Sequence, residues 1–354
     1  MSNHILDPDA FEFGLDTPLH VTADADGNDL PGDQVIRNAI EEAVLADSVG
    51  IDSFNISEHY RDKFMDSAGA VVLAGIATRT HRIRLGTAVT VLSTQDPVRL
   101  FTEFSTLDAL SSGRAQIALG RGSLTESFPL FGYDLRDYET LFEEKLDLFT
   151  KLIREQPVTW AGTVRTPLDE QYVYPPLPSG HLPTWIAVGG SPQSVVRAAR
   201  YGLPLILAVI AGDPIRFAPY VDLYHRSLAQ FGQARQPVGM HSHGFVARTD
   251  EEAKAIQFPY SREMWAGDER RPAPSMGFFE NEVEHGAHFI GSPETVAQKL
   301  AHHIRALRLE RFDLAYATGR VPHEHRMATI ELFGREVVPR VRELLHENPA
   351  EVPA

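Results

Sequence analysis

Short runs of β-branched and apolar residues alternate along this chain with stretches whose apolar residues recur at helical spacing. The run from Phe11 to Asp16 predicts a strand. After it, Val35, Ile36, Ala39, Ile40, Ala43 and Val44 share one face of a helix predicted over 33–49, with Asp33 as its cap and Gly50 as its stop. The same alternation predicts strands over 51–57, 83–91 and 115–119, and helices over 66–80 and from Asp96-Pro97 to Gly113. Strand starts near residues 11, 51, 83 and 115 are 40, 32 and 32 apart, the spacing of successive βα units in a parallel sheet.

The second half continues less regularly, with strands predicted over 184–188, 205–209, 238–247 and 311–317. The long segment 120–180 carries a helix around 139–155, and a last helix covers 324–346. Four helices open with a cap residue followed by proline: Asp96-Pro97, Ser191-Pro192, Asp213-Pro214 and Ser292-Pro293. Proline at the first helical position sacrifices no hydrogen bond. Segment 259–288 has little apolar periodicity and several Pro and Gly residues, so it is expected to be a mobile insertion near the barrel mouth. Strands such as Ile83–Val89 and Leu205–Val209 lack polar alternation, as parallel strands covered on both faces do. Eight βα units favour one α/β domain over 1–354, a (β/α)8 TIM barrel with insertions after strands four and seven. An open doubly wound sheet competes, but no Gly-x-Gly-x-x-Gly opens the first βα unit.

Composition narrows the chemistry. The 354 residues are 43% apolar and 23% charged, as in soluble globular proteins, and contain no cysteine. A thiolate nucleophile, a disulfide framework and a Cys-type zinc site are therefore excluded, and a reducing cytoplasm suits the chain. The net charge of −15 argues against nucleic acid and anionic membranes as partners. No signal peptide is expected, since no basic segment precedes an apolar run at the start.

In such barrels reactive groups come from the C-terminal strand ends, which selects four segments. After strand two, Ser57-Glu58-His59-Tyr60 is either a carboxylate–imidazole pair for acid/base work or a polar strand end with Glu58 bound to an arginine. After strand four, Gly120-Arg121-Gly122-Ser123 is either a phosphate contact or a glycine turn with a solvated arginine. After strand five, Gly189, Gly190, Ser191 and Ser194 open a helix whose free N–H groups attract an anion, a role compatible with capping by Ser191. In strand three, Gly86-Thr87-Ala88-Val89-Thr90 leaves room for a flat ligand or fits a core layer. Of the 15 histidines, only His241-Ser242-His243 is placed to share a strand face, and it lacks carboxylates at metal spacing, so no metal site is expected.

Read together in order, these residues resemble the luciferase-like flavin-dependent monooxygenases. The resemblance rests on Ile83-Arg84-Leu85-Gly86-Thr87-Ala88-Val89-Thr90-Val91-Leu92 with Asp96-Pro97-Val98-Arg99, on Leu107–Arg114, and on Leu119-Gly120-Arg121-Gly122. It extends to Ser57-Glu58-His59, Val188-Gly189-Gly190-Ser191, Ala198–Pro204 and Gly291–Ala297. It implies a barrel that binds reduced FMN, or a deazaflavin relative, in its mouth. Arg121, Gly189, Gly190, Ser191 and Ser194 would hold the phosphate. Ala88 and Val89 would back the ring, often at a non-proline cis peptide. His59 would be the proton donor or oxyanion stabiliser, supported by Glu58. The implied partners are a small organic substrate, O2, a reductase supplying FMNH2 and a second copy in a homodimer. The rivals are a deazaflavin-dependent hydride-transfer enzyme on the same fold, a non-catalytic flavin-binding protein and a metal-dependent barrel hydrolase.

Overall fold

The computed structural model describes residues 3–24, 26–122, 124–154, 156–264, 273–349 and 351–353. Eight parallel strands close on themselves: β1 (Glu12–Thr17), β2 (Ser53–Ile56), β3 (Arg84–Val91), β4 (Ile117–Gly120), β5 (Thr184–Val188), β6 (Leu205–Ala208), β7 (Val238–Val246) and β8 (Arg311–Ala315). Each pairs with the next, and β8 returns to β1 with Phe312 opposite Phe13 and Leu314 opposite Leu15. The helices around them are α1 (Gly32–Ser48), α2 (Gly69–Ala77), α3 (Pro97–Ser111), α4 (Tyr138–Leu152), α5 (Pro192–Tyr201), α6 (Ala218–Gln230), α7 (Asp250–Met264), α8 (Met276–Glu284), α9 (Pro293–Leu307), α10 (His323–Leu332) and α11 (Val338–Glu347). The fold is thus the expected (β/α)8 barrel. The insertion after β4 contains an antiparallel pair, Val158–Trp160 with Leu168–Gln171, and Phe289–Gly291 adds a strand beside the end of β7. Among the described residues no helix is long and apolar enough to cross a membrane.

Apolar strand residues point outward. Phe13, Leu15, Phe54, Ile56, Leu85, Ile117, Leu119, Ile186, Leu205, Leu207 and Phe312 form one buried cluster with the helices. The lumen is largely polar instead, and Arg311 fills its lower part. Its guanidinium donates to both Asp313 oxygens (3.0 and 3.1 Å), Gln116 Oε1 (3.0 Å) and Ser53 Oγ (3.2 Å), and lies 4.9 Å over the Trp185 ring. Gln116 in turn donates to Asn55. Two inward glycines make room: a Cβ on Gly14 would sit 2.0 Å from Asp313 Oδ1, and one on Gly86 2.6 Å from Gln116 Cγ. A buried charge is tolerated only when paired and hydrogen-bonded, which this network achieves.

At the same end, below the N-terminal strand ends, Arg114 locks the barrel floor by donating to the carbonyls of Ala77, Thr80, Ile83 and Ser111. Asp108 accepts from the Ser179 N–H. The chain leaves α3 through left-handed Ser112 (φ 58°) and Gly113 (φ 86°). The Leu107–Arg114 motif is therefore architectural.

Three expected caps hold: Asp96, Asp213 and Ser292 each accept helix-start N–H groups through their side chains. Two other cap expectations and one helix start need correction. Pro31, not Asp33, occupies the cap of α1, and Asp33 pairs with Arg37 one turn on. The second helix starts at Gly69, and Asp66 bonds elsewhere. Ser191 holds the cap position of α5, but its hydroxyl donates to Gln193 Oε1 and leaves the helix start uncapped. The described parts of segment 259–288 are largely helical, which weak periodicity did not predict: α7 runs to Met264 and α8 occupies Met276–Glu284. The tilted rings of Phe258 and Phe279, 5.2 Å apart, pack beside Phe245, Ala253 and Val283 in a satellite core that anchors both helices. Residues 265–272 of that segment lie outside the described residues.

Candidate active site

Ser57, Glu58 and His59 leave the C-terminal end of β2. The His59 Nδ1 lies 2.7 Å from Asp66 Oδ2, and its backbone N–H donates to Asp66 Oδ1 at 2.9 Å. Asp66 is fully buried, and the Phe64 ring stacks on the imidazole at 4.6 Å. One carboxylate thus fixes both the backbone and the ring, leaving Nε2 as the ring nitrogen free for a ligand.

The expected supporter, Glu58, does something different. Its Oε2 accepts from the Val91 N–H (2.9 Å), and its Oε1 accepts from Gln95 Nε2 (2.8 Å) and Tyr60 OH (2.5 Å). Desolvation pushes its carboxyl above the ordinary range. Glu58 therefore ties the end of β3 to the loop after β2. It is bound neither to His59 nor to an arginine, because its lone pairs are committed to groups on the far side of the loop. Asp66 is the carboxylate that holds His59.

Next to β2, the Ala88–Val89 peptide of β3 is cis, where the family resemblance places such a bond. Val89 packs against Ala118, Trp185 and Ile206, the apolar residues that face the upper lumen. Ser57 Oγ lies 3.3 Å from the Ala88 carbonyl.

Because β4 and β5 are hydrogen-bonded neighbours, Arg121 and the Gly189–Ser194 turn leave the barrel on the same rim. Glu139 of α4 joins them further. It pairs with Arg121 through one oxygen and with Arg197 of α5 through the other. Arg197 also donates to Glu143 (2.5 Å), yet its Nη1 is buried without a partner. Ser194 is buried, and a Cβ on Gly189 would meet nothing within 4 Å. Gly190 adopts φ 114°, a conformation that side chains disfavour. An uncapped helix start, two arginines and a side-chain-free approach are chemically suited to an anion. Ser123 lies outside the described residues.

Across the mouth, β7 presents His241 and His243, whose ring centres are 6.4 Å apart. His243 Nδ1 bonds Thr318 Oγ1 at 2.8 Å, and its ring lies 6.0 Å from that of His288. Desolvation lowers His243 to about 3 and His288 to about 4, so both are neutral at pH 7. A cavity of about 770 Å³ lies elsewhere: it opens on the outer wall between α2 and α3, lined by Glu58, Thr87, Thr90, Arg99, Glu103 and Leu110. It shares the Glu58 anchor but not His59, and the chemistry-bearing groups converge on the mouth.

Asp66, Arg197 and Glu139 escaped the sequence reading. Arg197 had a usable signal, since it stands one helical turn beyond Ser194 on the same face. Asp66 had none, because a carboxylate in an irregular loop looks like any other.

Known proteins place these features in context. The sequence model of the luciferase-like monooxygenases matches residues 11–310. An uncharacterised protein of Sinorhizobium fredii is 24% identical over 89% of this chain and 94% of its own length. The alkanal monooxygenase alpha chain of Photorhabdus laumondii is 26% identical, over 56% of this chain and 55% of its own length, so the match spans about half of that relative. Among solved structures, the monooxygenase RslO1 of Streptomyces bottropensis superposes with TM-score 0.80 at 23% identity, covering 93% of this chain and 99% of that one. The oxygenating component of 3,6-diketocamphane monooxygenase from Pseudomonas putida, in complex with FMN, gives 0.75 at 20%, covering 94% and 98%. The coenzyme F420-dependent tetrahydromethanopterin reductase of Methanopyrus kandleri gives 0.70 at 18%, covering 94% and 99%. These structures share the barrel, and the sequence match across most of it shows that this chain belongs to the luciferase-like monooxygenase family.

Proposed function

We propose that this protein is a flavin-dependent monooxygenase that takes reduced FMN from a separate reductase and uses O2 to oxidise a small organic substrate. The observation that carries the reading is the convergence, on one rim, of Arg121, Arg197 and the uncapped start of α5, at the mouth that also holds the His59–Asp66 pair. The orphaned Arg197 Nη1 and the open space over Gly189 fit a phosphate. FMN, when bound and reduced, supplies the electrons that activate oxygen.

The rest is the work of this chain's residues. Arg121, Arg197 and the Gln193 N–H at the helix start bind the phosphate, with the Ser194 hydroxyl, and that of Ser191 once it turns from Gln193, as further donors. Ala88 and Val89 form the apolar floor under the ring. His59, oriented through Nδ1 by Asp66, offers Nε2 as a hydrogen-bond partner to oxygen near the ring. The neutral imidazoles of His241 and His243 flank the opposite side, where the substrate would lie.

The FMN reading is preferred to a deazaflavin because the rim arginines are already matched by Glu139 and Glu143, leaving little spare charge for a longer anionic tail. The deciding experiment is an anaerobic titration with FMNH2 and, separately, with reduced coenzyme F420, followed by admission of oxygen. Saturable FMNH2 binding with protein-dependent oxygen consumption is expected. Binding of the deazaflavin alone would replace monooxygenation with hydride transfer, and binding of neither would remove the flavin assignment.

A further inference from the structure

One buried carboxyl at the mouth has no part in the chemistry above. Asp16, near the end of β1, is only 2% exposed. Its Oδ2 and Oδ1 lie 3.0 and 3.2 Å from Ser57 Oγ, and the same hydroxyl oxygen lies 3.3 Å from the Ala88 carbonyl. A hydroxyl has one proton to donate. Were Asp16 ionised, Ser57 would face two acceptors with that single proton and could serve only one of them. A proton on Asp16 resolves the count. Asp16 then donates to Ser57 Oγ, Ser57 donates to the Ala88 carbonyl, and both contacts are hydrogen bonds.

The surroundings favour the same state. The groups facing the carboxyl are Asp313 from β8, Asp66 from the loop after β2, and His241 from β7. Burial, reinforced by Asp313 and Asp66, drives Asp16 well above the ordinary carboxylate range; only Ser57 and the Thr17 backbone pull the other way. His241 Nδ1 stands 3.7 Å from Asp16 Oδ2 without another partner, and desolvation lowers its affinity for a proton, so it supplies no compensating cation. The mouth thus holds two carboxyl–imidazole pairs in unlike settings, a tight one at His59–Asp66 and a loose one at His241–Asp16. Such contrast is how a site divides proton-donating from proton-accepting roles.

We propose that Asp16 is a neutral carboxylic acid whose proton completes a relay through Ser57 to the Ala88 carbonyl, making Asp16 a positioning residue for the floor beneath the ring. The identity of the ring rests on the FMN reading; the proton on Asp16 does not. Two measurements keep the claims apart. Infrared difference spectra of ligand-free wild type minus Asp16→Asn, taken from neutral to alkaline pH, should contain the carbonyl stretch of a protonated carboxyl at pH 7, fading only at alkaline pH. Carbon NMR of protein labelled at aspartate carboxyls reads the same state without any variant. An ionised Asp16 at pH 7 would overturn the proposal, whatever FMN does.

Oxidised FMN is the probe for positioning, titrated by fluorescence from pH 6 to pH 10. Wild-type affinity should weaken by roughly threefold to tenfold as Asp16 ionises, the effect of one hydrogen bond. Asp16→Asn, whose amide donates to Ser57 permanently, should give a flat profile. An Asp16→Asn profile that follows wild type would overturn the positioning role. Wild type that binds neither oxidised FMN nor FMNH2 while the protonated-carboxyl band is present would overturn the flavin reading and leave the acid assignment standing.

Discussion

His59 and Glu58 are adjacent in sequence yet belong to different hydrogen-bonding systems. The His59 ring is set by Asp66, seven residues further on, and Glu58 by Val91, Gln95 and Tyr60. The two carboxylates should therefore fail in different ways. Asp66→Asn turns the donor side of an amide toward Nδ1, reverses the imidazole tautomer, and should lower turnover by about a hundredfold or more while sparing FMN affinity. His59→Ala should act alike. Glu58→Ala should instead appear in denaturation, as a loss of about 1–3 kcal/mol from the orphaned Val91 N–H and Gln95 amide. On the rim, Glu139→Gln releases Arg121 and Arg197 from a competing carboxylate. FMN should then bind several-fold more tightly in a fluorescence titration, an effect that salt reduces because the pairs are partly exposed. Unchanged affinity would mean that Glu139 does not compete with the anion.

Elements here owe their positions to a few polar residues placed among apolar ones. Asp96 accepts from both the Val98 and the Arg99 N–H groups at the start of α3, so Asp96→Ala should cost about 1 kcal/mol in chemical denaturation. Pro97 fixes the first turn in the same helix. The barrel lumen is more sensitive. Arg311→Leu would strip Asp313 of its charge partner at a fully buried position and should destabilise the fold by about 3–5 kcal/mol. A double change that also removes the Asp313 carboxyl should restore part of that loss, since an unpaired charge costs more than an absent pair. The helices after β7 illustrate why weak periodicity misleads. Pro259 sits inside α7, and the segment is held by aromatic contacts between α7 and α8 rather than by a long apolar stripe.

The whole molecule should respond to acid through its buried imidazoles. His243 and His288 are depressed to about 3 and about 4 from an ordinary value of 6.5. Between pH 6.5 and about 4 the unfolded chain binds protons that the folded chain refuses, so stability present above pH 6.5 is lost as the pH falls. Denaturant midpoints at pH 7 and pH 5 should differ, and His288→Gln should shrink the difference. Asp16 has the opposite sign, since its carboxyl is raised and its contribution fades as the pH rises through the folded value. Much of this architecture was legible in the order of residues. Apolar β-branched runs, helical patterns and cap–Pro pairs act over a few neighbours, so the strands and helices follow from them, and their eightfold alternation favours the barrel. The identity of the rim-forming loops follows too, since in a barrel the loop after every strand must reach the same end. Partnership across that end was not legible. Asp66 rather than Glu58 holds His59, Arg197 shares Glu139 with Arg121, and Asp16 meets Ser57 and His241, because barrel closure brings together residues from distant strands and only then sets which lone pairs lack a proton. Local pattern determined the scaffold; hydrogen-bond satisfaction in a dry, closed space determined the chemistry.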